Sequence, residues 1–268
     1  ATNSGCYDGG GIHANGLEIY DCKVFDNYAW NGGGIYADGQ TIIERCEVYS
    51  NSSGSAGKGI YIVKNAELKK TKIFNNKDQG IGSLALSMMA YPFLENLLII
   101  ENNGEYGGIY TDRLDSLVTM HSSTIMNNEG YDVFLRKSSK MRFINCILGD
   151  TENPNYSIYA TSTENLYSIA YLRNTFIYGD SLSVYTYHEN GAEYENGTIF
   201  GDPLITDDFK LSEFSPAIGA GTATGAPTTD INGNARPSPS GSNPDMGAHE
   251  NAYASQRPKA GTIADGLG

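Results

Sequence analysis

One residue past each of Ile12, Ile35, Ile60, Ile81, Ile109, Val133, Ile158 and Val184, the chain reads His13, Tyr36, Tyr61, Gly82, Tyr110, Phe134, Tyr159 and Tyr185. Six of these eight positions hold Tyr or Phe, and a seventh holds His. Rings aligned on one flat surface could carry sugar rings on their faces while their hydroxyls form hydrogen bonds. Tyr36, Tyr61, Tyr110, Phe134, Tyr159 and Tyr185 are therefore the candidate glycan-binding residues, forming one exposed line interrupted at Gly82. A plainer reading stands beside it. Aromatic residues favour strand surfaces, where cross-strand pairs contribute about 0.2–1 kcal/mol each. The two readings are compatible, because a large exposed apolar stripe generally marks a binding surface.

The densest group of charged residues is Asp112 and Arg113 after Tyr110, then Asp132, then Arg136 and Lys137 after Phe134. Asp112 and Arg136 fall at equivalent places in successive repeats, as do Arg113 and Lys137. Such a group is either a site for an anionic sugar or a surface ion-pair cluster of little energetic weight. His121 and His188 have no partner at metal-ligand spacing and read as surface or turn residues. No Gly-x-Ser-x-Gly elbow occurs, and the Gly-rich segments precede strands rather than helices, which argues against phosphate binding. No residue is assigned a catalytic role, and none a metal.

These residues owe their alignment to a repeat. The eight strand-opening residues are separated by 23, 25, 21, 28, 24, 25 and 26 residues. A second column (Val24, Val48, Ile73, Ile99, Ile125, Leu148, Ile177 and Phe200) keeps nearly the same beat, and a third holds Asn3, Asn27, Asn51, Asn76, Asn102 and Asn128. Self-similarity at about 20–50 residues marks a repeat architecture. Between the glycines, apolar and polar residues alternate with period two, as in Ile60-Tyr61-Ile62; only 84–98 reads as a candidate helix. A unit of about 25 residues cannot bury its apolar face alone, but stacked coils bury a continuous core. The fold class predicted is all-β, a right-handed parallel β-helix of about eight coils, roughly 40 Å long at a rise of about 4.8 Å, with an irregular C-terminal cap. The Asn column predicts turns whose amides bond locally and along the axis as a ladder. It lapses after Asn128, where Thr151 and Asp180 follow.

At 268 residues the chain is long enough for a large single unit, and its net charge of −13 argues against nucleic acid or an anionic membrane surface as partner. No apolar run reaches the roughly 18 residues that would suggest membrane insertion. Residues 1–3 match Phe25-Asp26-Asn27, so the first coil reads as cut in the middle, as in a fragment of a longer protein. Of the four cysteines, Cys22, Cys46 and Cys146 share one inward column with Thr71, Leu97, Ser123 and Thr175, a slot for small side chains. Buried free thiols are expected there, and Cys6 lies outside the column.

Past residue 201 the texture changes. Gly201-Asp202-Pro203-Leu204 is followed by Phe209-Lys210-Leu211, by Ser215-Pro216-Ala217-Ile218-Gly219-Ala220-Gly221, by Asp230-x-x-Gly233-x-x-Arg236, and by Asp245-x-Gly247-Ala248-x-Glu250. This order resembles the terminal segment of secreted bacterial right-handed β-helix proteins of the pectate-lyase-like superfamily, in particular those called choice-of-anchor proteins. The resemblance implies export, an extracellular or cell-surface location, and a polysaccharide or cell-surface glycan as partner. Coils are expected over 1–205, a capping segment over 206–250 and a linker over 251–268 toward a further extracellular module, which Asp265-Gly266-Leu267-Gly268 would open. Arg236 is expected to pair with Asp245 or Glu250 and pin the segment over the last coil. Asp230-x-Asn232-x-Asn234 echoes the start of a calcium loop, but the glycine comes at the fourth position and no Glu closes the loop at the twelfth. No cofactor is therefore expected, with calcium the one possibility.

Two further functions stay open beside adhesion or glycan binding without catalysis. Lyases that share the resembled fold take a proton from the carbon next to a uronate carboxyl with a basic residue; here that would be Arg136 or Lys137. A long insertion beside that cluster would favour a lyase, and the widest interval is the one between Ile81 and Ile109. A structural spacer or filament subunit would follow if the ends of the coil stack between chains.

Overall fold

The computed structural model describes residues 6–77, 80–104, 106–151, 157–163 and 166–258. The readings of Ala1 to Asn3 as part of a coil, and of Asp265 to Gly268 as the opening of a module, lie outside them. The chain winds into a solenoid with three eight-stranded parallel sheets. Strands of the first sheet run from Ile12–Asn15 to Val184–Thr186, of the second from Glu18–Tyr20 to Ala192–Tyr194, and of the third from Lys23–Phe25 to Ile199–Gly201. A short three-stranded sheet (Cys6–Asp8, Tyr28–Asn31 and Ser52–Ser53) fills the corner between the third sheet and the first in the early coils.

The register confirms the period and corrects one coil. Ile35, Ile60, Ile109, Val133 and Ile158 stand in line, but the fourth coil contributes Leu84 and not Ile81. Ile81 instead bridges to Ala56 ahead of the strand. In this coil Ser83 occupies the place that glycine fills in its neighbours, accepting from Gly59 N–H as Gly59 accepts from Gly34. A reading keyed to Gly-Ile therefore stops three residues early. The ring column is broken by Ala85, which lies between Tyr61 and Tyr110. With Leu84 in place the interval to Ile109 is 25 residues (109 − 84), and the wide gap disappears. The candidate helix over 84–98 is absent: strands Leu84–Leu86 and Phe93–Glu95 occupy it.

The inward columns make the core. Ile35, Ile43 and Val48 face it from the three sheets of one coil, and each is fully buried. Each such side chain contributes about 1.5–3 kcal/mol. The sharp corner between the second and third sheets is made by a single residue in the left-handed region: Asp21, Arg45, Lys70, Asn96, Ser122, Asn145 and Asn174 have φ between 43° and 55°. Asn tolerates this conformation, whereas Lys and Arg adopt it at a cost of roughly 1–2 kcal/mol. The next inward position is the small-residue slot. Cys46 N–H donates to Thr71 Oγ1 at 3.3 Å and Leu97 N–H to Ser123 Oγ at 3.0 Å, so hydroxyls there serve the neighbouring coil. Cys22, Cys46 and Cys146 are free thiols. Burial pushes the Cys146 thiol up to about 12.

At the corner after the third sheet the Asn side chains form a ladder. Asn27, Asn51, Asn76 and Asn102 each donate Nδ2–H to the Oδ1 of the Asn one coil on, at 2.8–3.1 Å. That same oxygen accepts the backbone N–H of the preceding Asn. At the far end Asn128 donates to Asp132 Oδ1 at 2.7 Å. An acidic side chain suits this last rung, because its Oδ1 accepts from Asn128 as the next Asn would.

The irregular segment over 202–250 lies along the flank of the solenoid, over the outer face of the third sheet as far as Ile199 of the last coil. Leu98, Ile100, Met126, Ile147 and Phe176 meet Leu211, Ala217, Ile218, Ile231, Met246 and Ala248 in a second apolar cluster. The corner amides of Asn96, Asn145 and Asn174 donate to the carbonyls of Thr229, Thr222 and Ala220 at 2.8, 2.8 and 3.1 Å. One outward column of the third sheet shows why the segment docks here. It reads Lys23, Glu47 and Lys72 in the early coils and then Leu98, Thr124, Ile147 and Phe176. Residues 251–257 fold back on this segment. Asn251 Nδ2 donates to Leu211 O at 3.0 Å, and Arg257 pairs with Glu213 at 2.8 Å.

Candidate functional site

The first sheet brings the candidate rings into one column on its outer face. Tyr36 neighbours Tyr61, and Tyr110, Phe134, Tyr159 and Tyr185 follow one another across Ala85. Exposure varies along the line. Tyr185 is exposed, Tyr36, Tyr61 and Tyr159 are half-buried, and Tyr110 and Phe134 are buried at 6% and 7%. The column is thus not exposed throughout. Tyr106 and Tyr131, from the turns ahead of the strands, lie over its centre with ring centroids 4.4 and 5.6 Å from that of Phe134. An aromatic two or three residues before the strand, as in Tyr106-Gly-Gly-Ile and Tyr131-Asp-Val, is the signal the strand-based reading missed.

Ring orientation differs along the column as well. Tyr110, Phe134, Tyr159 and Tyr185 stack in series at 5.8, 5.4 and 4.8 Å with interplanar angles of 4°, 11° and 16°. Faces that stack on one another are withdrawn from a ligand, leaving edges and hydroxyls outward. Tyr36 is tilted by 56° to His13 and by 52° to Tyr61, so its face is not closed by a parallel neighbour. Gly82 serves the column in another way. It has φ +65°, and a Cβ there would lie 2.5 Å from Tyr110 Cβ, so the missing side chain lets Tyr110 close onto the sheet.

The charged group divides in two. Asp112 and Arg136 are register neighbours, and Lys137 Nζ lies 3.1 Å from Asp112 Oδ2 with Arg136 Nη1 at 3.9 Å. Arg136 also donates to Tyr110 OH at 3.3 Å, a hydrogen bond that raises the guanidinium pKa further. Arg113 is exposed at a left-handed turn. Asp132 does not belong to this group. It is buried at the end of the Asn ladder, where desolvation drives its carboxyl pKa well above the ordinary range.

In the tail, Arg236 pairs with Glu250 at 2.8 Å, both side chains fully buried. The guanidinium also reaches Asn96 Oδ1 and Gly247 O, tying the tail to the fourth coil. Asp245 instead accepts from Gly219 and Asn251 N–H. Burial, then the adjacent Glu250, raise its pKa to about 7. Asp230 turns its carboxylate onto its own loop: Oδ1 accepts from Asn232 and Asn234 N–H, and Oδ2 from Asn234 Nδ2 and Glu250 N–H. Asp230, Asn232 and Asn234 thus form a turn closed by the Asp carboxylate. His249 is buried, bonded to Asn232, and desolvation lowers its pKa to about 4. His121 is half-buried beneath Gly225, and His188 lies against Tyr167.

A family model described as right handed beta helix region matches residues 10–177. No curated protein matches the chain. The matched stretch begins just before Ile12 and ends at Ile177 in the third sheet, so it takes in the Asn ladder and the ring column as far as Tyr159, with Tyr185 beyond it. With the parallel three-sheet register, this match makes the chain a member of the right-handed β-helix family.

Proposed function

We propose that the protein is a non-catalytic extracellular or cell-surface module that holds a polysaccharide or cell-surface glycan against its first sheet. The observation that carries this reading is the ring column. Tyr36, Tyr61, Tyr159 and Tyr185 remain at the surface, in register on a rigid sheet, on either side of the buried Tyr110 and Phe134. Aromatic side chains on such a scaffold offer contact area at little conformational cost. The charged group beside them favours binding over proton abstraction. Arg136 and Lys137 both bear on Asp112, and the Tyr110 hydrogen bond holds Arg136 cationic, the opposite of what a general base needs.

Affinity measurements across neutral and acidic polysaccharides test this. Binding is expected, and Tyr36→Ala with Tyr61→Ala is expected to weaken it strongly while leaving the melting temperature within a few degrees. Ultraviolet absorbance from an unsaturated uronate product on incubation with polygalacturonate would replace this reading with that of a lyase.

A further inference from the structure

We infer that Trp30, with Tyr28 and Tyr7, forms a second carbohydrate subsite, specific for neutral pyranoses. It shares with the function proposed above only the class of ligand. Trp30 lies outside the first-sheet column, on the short sheet at the corner. Tyr28 and Trp30 alternate with the buried Ala29, so both rings point outward, and they are 41% and 48% exposed. The neighbouring strand places Tyr7 beside them, 73% exposed.

The position beneath the indole is a glycine. A Cβ at Gly54 would stand 2.5 Å from Trp30 Cε3 and 2.9 Å from Cζ3, with Tyr28 OH also at 2.9 Å. The indole therefore approaches the Gly54 backbone at Cε3 and Cζ3 more closely than any side chain there would permit. Nearly half of the side chain stays at the surface. In the first sheet, by contrast, the later rings use their faces on one another. An indole seated in this way with accessible surface is a group on which the C–H side of a pyranose packs well.

Hydroxyls are within reach on the same face, from Tyr28 and Tyr7. Asn31 Nδ2 donates to Asp8 Oδ1 at 3.0 Å on the next row of the strands, which alternation turns away from the indole. Asp8 is the sole charged residue in the three strands, so nothing in this sheet attracts a uronate and its one charge repels it.

Trp30 is the chain's one tryptophan, so intrinsic fluorescence reports this site alone. Cellohexaose, laminarihexaose and mannohexaose would be titrated into the full chain, with a galacturonate hexamer as the acidic control. The result expected is a saturable emission change with at least one neutral oligomer, protection from acrylamide quenching, and no response to the acidic one. Calorimetry on Trp30→Ala should then show affinity for that oligomer reduced about tenfold or more, at an unchanged melting temperature. Gly54→Val keeps the indole but lifts it from its seat, and should weaken binding as well, which covers the case of a poorly folded Trp30→Ala.

Silence of the emission with all three neutral oligomers overturns the subsite, as does unchanged affinity in Trp30→Ala. Calorimetric binding lost in Tyr36→Ala with Tyr61→Ala, without any emission change, overturns it while leaving the first-sheet reading in place. An emission response that survives that double variant supports the subsite as a site independent of the first sheet.

Discussion

Asn76, the middle rung of the ladder, gives the sharpest test of what holds the coils in register. Its Oδ1 accepts both the N–H and the Nδ2–H of Asn51, and its Nδ2 donates to Asn102 Oδ1 and Val48 O, all at 3.0–3.1 Å inside the core. In Asn76→Ala, Asn51 Nδ2 keeps Val24 O and Tyr49 O, and Asn102 Oδ1 keeps the backbone N–H of residue 76. One group is left without a partner, Asn51 N–H, because Val48 O keeps its place in the parallel strand ladder. At about 1–3 kcal/mol for this buried orphan, the loss is roughly 1–3 kcal/mol. Asn76→Asp is the more informative change. Its first oxygen still serves Asn51, but the second confronts Asn102 Oδ1 and Val48 O with no proton to offer.

At neutral pH Asn76→Asp should therefore be less stable than Asn76→Ala. The introduced carboxyl would have a folded pKa raised above its unfolded value of about 3.9. The folded state then binds the extra proton first, so stability relative to the parent rises as pH falls through the raised pKa and levels off below about 3.9. Thermal and urea unfolding of the two variants between pH 4 and 8 measure this. An Asn76→Ala variant within about 1 kcal/mol of the parent, or an Asn76→Asp variant the more stable of the two at pH 7, would refute the ladder as a source of stability.

Removing one partner of the buried Arg236–Glu250 pair should cost about 3–5 kcal/mol, and limited proteolysis of Arg236→Ala should cut first between 202 and 258 while the coils stay intact. Phe134→Ala, which empties the centre of the ring column, should lose about 3–5 kcal/mol in unfolding experiments, against under about 1 kcal/mol for Tyr36→Ala. Asp245 and His249 set opposed pH dependences. The raised Asp245 pKa of about 7 adds stability as pH falls from 7 toward 4, and the lowered His249 pKa of about 4 removes it from about 6.5 toward 4. His249→Asn should therefore make stability between pH 4 and 6 climb more steeply with acid, as read from melting temperatures. In native protein, alkylation should modify Cys22 and spare Cys146, which reacts only on unfolding, as peptide mapping would show.

Much of this architecture was legible because a solenoid writes its register into the sequence. The column from Val24 to Phe200 appears in the third sheet residue for residue, and the Asn column becomes a ladder from Asn27 to Asn128. Errors arose where a residue type stood in for a position. Leu84 was passed over for Ile81 because Ser83 fills a glycine's place, and the ring column's gap moved with it. Asp132 was grouped with Arg136 by proximity in sequence, but strand parity turns it toward Asn128. What lay furthest from view was contact across long separations. Nothing local in Arg236 names Asn96, 140 residues away, as its partner, although the shift from Lys72 to Leu98 in the third sheet announces that something must cover that flank.

The corner amides of Asn96, Asn145 and Asn174 have a consequence for how such a chain can grow. They are sockets set along the axis, and the tail is cut to their spacing, with Thr229, Thr222 and Ala220 as the matching pins. Adding or deleting a coil between them would move one socket by about 4.8 Å and leave a pin without its hole. The tail is thus a gauge for the coils it spans. Among the described residues, the first two coils, whose corners are Asp21 and Arg45, hold no such pin, while the third meets the tail through Phe74, so it is the first two whose number can change without recutting it.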